Sequence, residues 1–504
     1  MKILERLLLP TLTEHLPSPK HQHGFKPNHS TVTALNEFTQ SVAEGFNKRR
    51  PPDRTVLLQI DLSKAFDMVS HEKLLKDINR TTLPDYIKRW LNCYLHGRQS
   101  KVKFRNVESK GRNVKTGVPQ GAVSSPLLFN FYLTNLPLPP PGLKLIQYAD
   151  DISVYGSGTD IAAISRNINE YINQILTFLT ERELEVSPSK SSVTLFTPDT
   201  KEAMVHPQVF MKSKLVELEK YPKLLGVTFD TMFSFFKQTA NSCTKTKTKV
   251  NIMKSIAGTN WGQDKETMLI TYKAIGRSTL EYAAPIWTPI ISETGWNKLQ
   301  TVQNQALRVA TGSLAMAGME HLHQESKMLP VRDHCTLLTK QFLAASFQNS
   351  HPAHQNLEKN RSARNLKPTC LNYKDEVGEK FRGGTYKDVL KKLHTEAVSK
   401  TLQSYKPNRV LQANPPEINP EEAELSRSVR SKLCRLRSGF CRTLNSYMSR
   451  IDKDISDVCP KCSLTPHDTI HLFNCPSNQT ELSPTKLWTE PQKVAKFLKL
   501  DDDG

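Results

Sequence analysis

A chain of 504 residues is too long for one hydrophobic core, and its 38% hydrophobic content is enough to build about two to four domains. Its 69 Lys and Arg against 49 Asp and Glu leave a formal charge of +20, which favours a polyanionic partner because phosphate neutralisation releases condensed counterions. No run of about 18 apolar residues occurs, and MKILERLLLP is interrupted by Glu5, Arg6 and Pro10; this argues against a membrane partner and a signal peptide and predicts an intracellular protein, nuclear or cytoplasmic.

Alternating strand and helix patterns over the first 230 residues predict a mixed core. RTVLLQIDL (54–62) reads as a buried strand, followed by a predicted helix with Ala65, Phe66, Val69, Leu74, Leu75 and Ile78 on one side. Residues 143–155 read as a β-hairpin. Asp160 is placed to cap a helix whose Ile161, Ile164, Ile168, Ile172, Leu176 and Leu179 fall at helical spacing, ending before Pro188. From 237 to 345 the pattern is helical and predicts an all-α unit. Residues 350–422, with NRSARNLKP and QANPPEINPEE, read as a linker or loosely packed connector. Residues 423–478 hold a basic helix and a cysteine cluster, and the tail to DDDG is polar. Of nine cysteines, six are scattered and read as reduced thiols, and three are clustered for metal.

Asp61 ends the strand TVLLQID, and Asp150 and Asp151 occupy the predicted hairpin turn. Nucleotide polymerisation needs two divalent ions about 4 Å apart. Hard Mg²⁺ takes oxygen ligands, so rigid elements must aim several carboxylates at one point. The plain alternative is a favourable Asp-Asp turn and a helix-capping Asp61.

Five ordered blocks settle the choice: QIDLSKAFDMV (59–69), GVPQGAVSSPLLFN (117–130), QYADD (147–151), VSPSKSSVTLF (186–196) and LLGVTFD (224–230). They resemble the reverse transcriptase family, most closely the enzymes of jockey-type non-LTR retrotransposons. HQHGFKPNHSTVTAL (21–35) is similar to that group's segment ahead of the first catalytic strand. The resemblance implies an α+β right-hand polymerase: partial fingers and palm over 1–232, a helical thumb over 233–345, a connector over 346–422, a basic helix and zinc knuckle over 423–478, and a tail over 479–504.

It also implies roles. Asp61 and Asp150 would be the principal ligands of two Mg²⁺ (or Mn²⁺), with Asp151 supporting and the Leu62 carbonyl a further ligand. Phe66 would be the steric gate against a 2′-hydroxyl, a role compatible with its reading as a core aromatic. Gln120 would contact the incoming dNTP, Gly121 would let the backbone approach closely, and Tyr148 would line the primer end. Lys190 would stand near the pyrophosphate, a solvated loop lysine being the alternative. Ser124 stands where the family usually carries leucine and is expected to loosen packing. The family's RPIS-type fingers segment and its endonuclease domain precede KILERLLLP, and both are expected to be missing from this chain.

Near the end, Cys459-x2-Cys462-x8-His471-x3-Cys475 offers three thiolates and an imidazole for a tetrahedral Zn²⁺, with His467 as a competing imidazole. Free cysteines and surface histidines are the alternative. Arg427, Arg430, Lys432, Arg435, Arg437 and Arg442 precede it and suggest phosphate binding, against a solvated basic helix. The expected function is therefore an RNA-directed DNA polymerase that extends a DNA primer on an RNA template with dNTPs. An inactive nucleic-acid-binding remnant and a domesticated structural or regulatory protein are the alternatives.

Overall fold

A computed structural model describes residues 2–258, 261–358, 365–382 and 384–500. Residues 360–364 of NRSARNLKP, and DDDG, lie outside the described residues. The chain forms two compact units, one of residues 1–237, 285–290 and 342–379, the other of residues 238–284, 291–341 and 380–504.

The first unit is built on a five-stranded sheet. Its strands are β1 (Arg54–Ile60), β6 (Leu143–Tyr148), β7 (Asp151–Gly158) and β8 (Ser192–Phe196), after four short strands, β2 to β5, of an exposed arm described below. Across the sheet the order is Glu217–Leu218, β8, β1, β7, β6. All neighbours are antiparallel except the short Glu217–Leu218 strand, which runs parallel to β8.

Side chains alternate across a strand. Val56, Leu58 and Ile60 of β1 therefore share one core with Ile164, Ile168, Tyr171 and Ile172 of the helix Ile161–Glu181, as their spacing predicts. Asp160 caps that helix, accepting the Ala162 N–H at 2.8 Å. The opposite face is covered by the helix Thr31–Asn47, which opens on a Ser30–Thr33 capping box. Its Phe38 ring meets Tyr155, Phe196 and Phe229 edge-on at 5.1 to 5.4 Å, the arrangement favoured by the ring quadrupoles.

The helix predicted straight after β1 is interrupted. Ala65–Asp67 is a single 3₁₀ turn entered through Lys64 at φ +49°, and the α-helix begins only at His71. The carbonyls of Phe66 and Val69, which a continuing helix would use, accept instead the N–H groups of Val118 and Gly117. Tertiary pairing overrides the apolar spacing.

The second unit is helical. Val250, Met253, Met268, Tyr272, Leu307 and Leu322 form one core. The segment read as a connector contains a 19-residue helix, Tyr386–Ser404, started by a Thr385–Asp388 capping box and burying Val389 and Leu393. Its lysine-rich outer face masked it in the sequence. The polar tail also departs from expectation: Leu487, Trp488, Val494 and Leu500 pack in one core with Val429, Leu433 and Leu436.

The basic helix, Arg427–Ser438, corrects the phosphate-binding expectation. Arg437 is fully buried between Glu325 and Glu422, donating to both and to the Leu487 carbonyl. Arg430 donates to Glu266, Arg427 to the carbonyls of Gln263 and Val309, Lys432 to Leu500, and Arg435 to Gly312. Of the six cations in the run, Arg442 alone is exposed. Burying a guanidinium is costly unless carboxylates accompany it, and one of the two, Glu325, lies 112 residues away in sequence. Among the described residues no helix is long and apolar enough to cross a membrane.

Candidate active site and metal centre

β1 and β7 run antiparallel with Ile60 opposite Ile152. One residue further, Asp61 lies across from Asp151, where opposed Cα atoms stand about 4.5–5.5 Å apart. β6 and β7 close with Tyr148 opposite Asp151, leaving Ala149 and Asp150 as a two-residue turn. The sheet thus gathers Asp61, Asp150 and Asp151 at one corner. The Asp151 carboxyl is held above the usual aspartate range, first by the burial of its surroundings and then by the charges of Asp150 and Asp61. Two carboxylates thus crowd a third, and hard oxygen donors of this kind suit a divalent cation.

The backbone around Asp61 is pinned by the loop after the helix Ile161–Glu181. Asp61 N–H donates to Ser191 Oγ at 3.2 Å, and its carbonyl accepts the Ser187 N–H at 2.9 Å. Leu62 faces Val186, flanked by the Ser63–Glu185 and Ser187–Asp61 bonds, so its own carbonyl is left out of that pairing. Lys190 sits exposed on the same loop.

The nucleotide-contact candidates gather around the 3₁₀ turn. Phe66 stacks on Phe129 with ring centroids 4.3 Å apart. Gln120 Nε2 donates to Asp67 Oδ1 at 3.2 Å. Gly121 has φ +85°, and an added Cβ would meet nothing within 4 Å. Gly117 is also held to glycine, since a Cβ there would lie 2.8 Å from the Asp67 carbonyl oxygen at φ +89°. Tyr148 is half-buried beside the turn.

Two residues escaped the sequence reading. The first is Gln22. Residues 21–23 add to the outer edge of β6, His23 N–H to Gln147 carbonyl at 2.8 Å and Gln147 N–H to His21 carbonyl at 3.0 Å. This puts the fully buried Gln22 amide against the turn: Oε1 accepts from Ala149 N–H at 2.9 Å and Gly24 N–H at 2.8 Å, and Nε2 donates to the Ala149 carbonyl at 3.2 Å. Ala149 needs the support, because it holds φ +55°, which costs an L-residue about 1–2 kcal/mol. Gly24 must be glycine, since a Cβ there would fall 2.5 Å from Ala149 N.

The second is Glu5, buried on the helix Lys2–His15. One oxygen accepts Val123 N–H, Ser124 N–H and Ser124 Oγ–H at 2.8 to 3.0 Å. Burial pushes this carboxyl's pKa up, but the Ser124 and Val123 donors outweigh it and the net shift is downward. Ser124 therefore ties the segment after Gly121 to the first helix. Where the family usually carries leucine, the hydroxyl supplies this hydrogen bond. The only local signal for it is a Glu, followed by Arg6, that interrupts the apolar stretch MKILERLLLP.

In the second unit, Cys459, Cys462, His471 and Cys475 bring their ligand atoms within 4.8 Å of one another. Cys459 Sγ and Cys475 Sγ are 3.9 Å apart, and Cys462 Sγ and His471 Nε2 3.4 Å. A zinc tetrahedron with bonds of about 2.3 Å to sulfur has edges of about 3.8 Å between sulfurs, so the donor set fits. His471 Nδ1 meets Thr465 Oγ1 at 2.8 Å, a contact that orients a ligating imidazole. His467 is turned away, its Nδ1 facing Asn445 N–H at 3.2 Å. Against burial, the N–H groups of Cys462 and Lys461 and the His471 ring draw the Cys459 thiol down to about 6.

Residues 1–229 match the family model described as reverse transcriptase (RNA-dependent DNA polymerase). The chain is 26% identical to the probable RNA-directed DNA polymerase from transposon BS of Drosophila melanogaster, over 68% of this chain and 38% of that protein. It is 23% identical to the RNA-directed DNA polymerase from mobile element jockey of Drosophila melanogaster, over 70% of this chain and 38% of that relative. The matched part thus spans less than two fifths of either relative. Among solved structures, apo telomerase from Candida tropicalis overlays with a TM-score of 0.34 at 10% identity, covering 78% of this chain and 61% of that one.

Proposed function

We propose, on the premise that the chain belongs through residues 1–229 to the reverse transcriptases and to their jockey-like non-LTR group, that it extends a DNA 3′-hydroxyl on an RNA template. The carrying observation is the β1–β7 register, which sets Asp61 beside the Tyr148–Asp151 turn. Asp61, Asp150 and Asp151 would hold two Mg²⁺ or Mn²⁺, with the Leu62 carbonyl as a further ligand. Such ions supply an activated 3′-oxygen and charge neutralisation on the leaving pyrophosphate.

The protein's own groups do the positioning. In this reading residues 1–232 form the fingers and palm region and the helices within 233–345 the thumb. Phe66, backed by Phe129, closes the space beneath the sugar. Gln120 and the backbone at Gly121 border the incoming dNTP, Tyr148 the primer end, and Lys190 offers an ammonium to the departing pyrophosphate. Cys459, Cys462, His471 and Cys475 would hold Zn²⁺ as a folding element of the second unit.

The test is extension of oligo(dT) on poly(rA) with Mg²⁺ or Mn²⁺. Incorporation of dTTP that disappears in Asp150→Ala supports the reading. A full-length chain that binds the duplex and incorporates nothing under either ion overturns it in favour of a binding remnant.

A further inference from the structure

Between the helix Asp85–Leu95 and the GVPQG loop, residues 99–113 leave the body of the first unit. Two short ladders form an arm: β2 (Gln99–Ser100) pairs with β5 (Arg112–Asn113), and β3 (Lys103–Phe104) pairs with β4 (Val107–Glu108). All fifteen residues from 99 to 113 are exposed. A hairpin that buries nothing of its own earns no stability from a core, so its composition answers to something else.

That composition is one-sided. From Arg98 to Lys115 there are seven Lys and Arg and one acid, Glu108. Glu108 is shared between Lys101 and Lys103, at 3.9 and 3.8 Å, so the remaining cations have no acidic partner within the arm. The pairing of Phe104 with Val107 puts both on one face together with Val102, and the three are 70 to 72% exposed. Lys103 and Glu108 occupy the other face. Arg105, at the tip, lies against the Phe104 ring at 5.5 Å. Alternating cations and an uncovered aromatic provide phosphate contacts and a stacking platform, the combination that single-stranded nucleic acid engages without sequence preference.

The root of the arm is fixed at the candidate active site. Val114 N–H donates to the Arg98 carbonyl at 2.9 Å, Thr116 Oγ donates to the Asp67 carbonyl at 3.0 Å, and Thr116 pairs with Ser70. Asp67 in turn receives Gln120. We infer that the 99–113 arm is a binding surface for single-stranded nucleic acid, its lysines and arginines on the phosphates and Phe104 on a base, holding the unpaired strand next to Gln120. This rests on the polymerase reading for what the strand is, but binding itself can be measured without catalysis.

The experiment uses the full chain and fluorescein-labelled 20-mers of poly(rU), oligo(dT) and a blunt duplex, followed by anisotropy across a salt series. Lys101→Ala/Lys103→Ala/Arg105→Ala/Arg112→Ala is expected to weaken single-strand binding at least tenfold and to flatten the logarithmic salt slope by about 3, at about 0.7 per phosphate contact. Phe104→Ala alone is expected to weaken it about fivefold or more with the slope unchanged. Both variants should keep the wild-type Tm, because the arm is exposed. RNA and DNA arms that respond alike assign the site to the shared backbone chemistry, and a loss confined to poly(rU) assigns it to template. Wild-type binding and slope in the quadruple variant would overturn the inference, as would a loss confined to the duplex or a change in self-association alone. A wild-type chain that binds through the arm yet incorporates no dTTP would sink the polymerase reading and leave the arm standing.

Discussion

The Gln22 side chain grips both faces of the Ala149 peptide, accepting its N–H at 2.9 Å and donating to its carbonyl at 3.2 Å. A segment more than 120 residues upstream thereby sets the position of Asp150 and Asp151.

Gln22→Ala would strand the Ala149 N–H and carbonyl and the Gly24 N–H in a site closed to water. Each such loss costs about 1–3 kcal/mol, so thermal melting should fall by several degrees. Primer extension should fall further than stability explains, and raised Mg²⁺ should restore part of it. Variants with unchanged metal dependence would separate Gln22 from the carboxylate geometry. Gly24→Ala, whose Cβ meets Ala149 N at 2.5 Å, should reproduce the defect.

Glu5→Ala removes the acceptor for three donors from Val123 and Ser124. Charge-assisted hydrogen bonds of this kind are worth about 1.5–3 kcal/mol each before compensation, and a net loss of about 2 kcal/mol is expected by denaturant titration. The sign of its pH dependence follows from its lowered pKa. A carboxyl whose folded pKa lies below its ordinary value of 4.5 contributes in full above that value, and the contribution fades as pH falls through the folded pKa. The stability gap between the wild type and Glu5→Ala should therefore be constant from pH 6 to 8, on the order of that 2 kcal/mol, and narrow in acid.

Asp151 carries the opposite shift. With no divalent ion in the buffer, Asp151→Asn relieves repulsion with Asp150 and Asp61 and should raise Tm slightly. With Mg²⁺ present it should lose both that advantage and most of the extension rate. A Tm below wild type in EDTA would contradict the three-carboxylate geometry.

Phe66 stacks on Phe129, so shortening it leaves that core ring seated and, in the proposed site, opens space under the sugar. Phe66→Val is expected to reduce the preference for dNTP over rNTP by about tenfold or more, read as a ratio of kcat/KM values. An unchanged ratio would return Phe66 to a packing role.

Replacing zinc with Co²⁺ at the cysteine cluster should give the intense visible absorption of a tetrahedral thiolate site. His471→Ala should abolish it and His467→Ala should leave it, since the latter ring faces Asn445. Cys459→Ser should lower the melting temperature of the second unit, whose core runs from Val429 through Phe473 to Leu500.

Much of the site was legible in local pattern. A strand of alternating apolar residues ending in Asp61, two aspartates at a hairpin tip and close-spaced Cys and His pairs are short-range signals, because strand period, turn preference and ligand spacing act within a few residues. Cys459, Cys462, His471 and Cys475 could be named as a metal-spaced set with His467 as a competitor, and the fold turns His467 toward Asn445 instead.

Composition and spacing brought out a strand ending in Asp61, an Asp-Asp hairpin tip, a metal-spaced knuckle and an excess of cations, and the resemblance of the ordered blocks joined the aspartates into one candidate cluster. Only the folded chain decided which cations are spent inside, as Arg437 is between Glu325 and Glu422, and which stand free, as on the 99–113 arm. It also decided that Phe66 sits in a 3₁₀ turn and that Gln22 and Glu5 brace the site. The physical reason is shared: buried polar groups must find partners, and those partners are chosen by proximity in space, which periodicity along a chain does not encode.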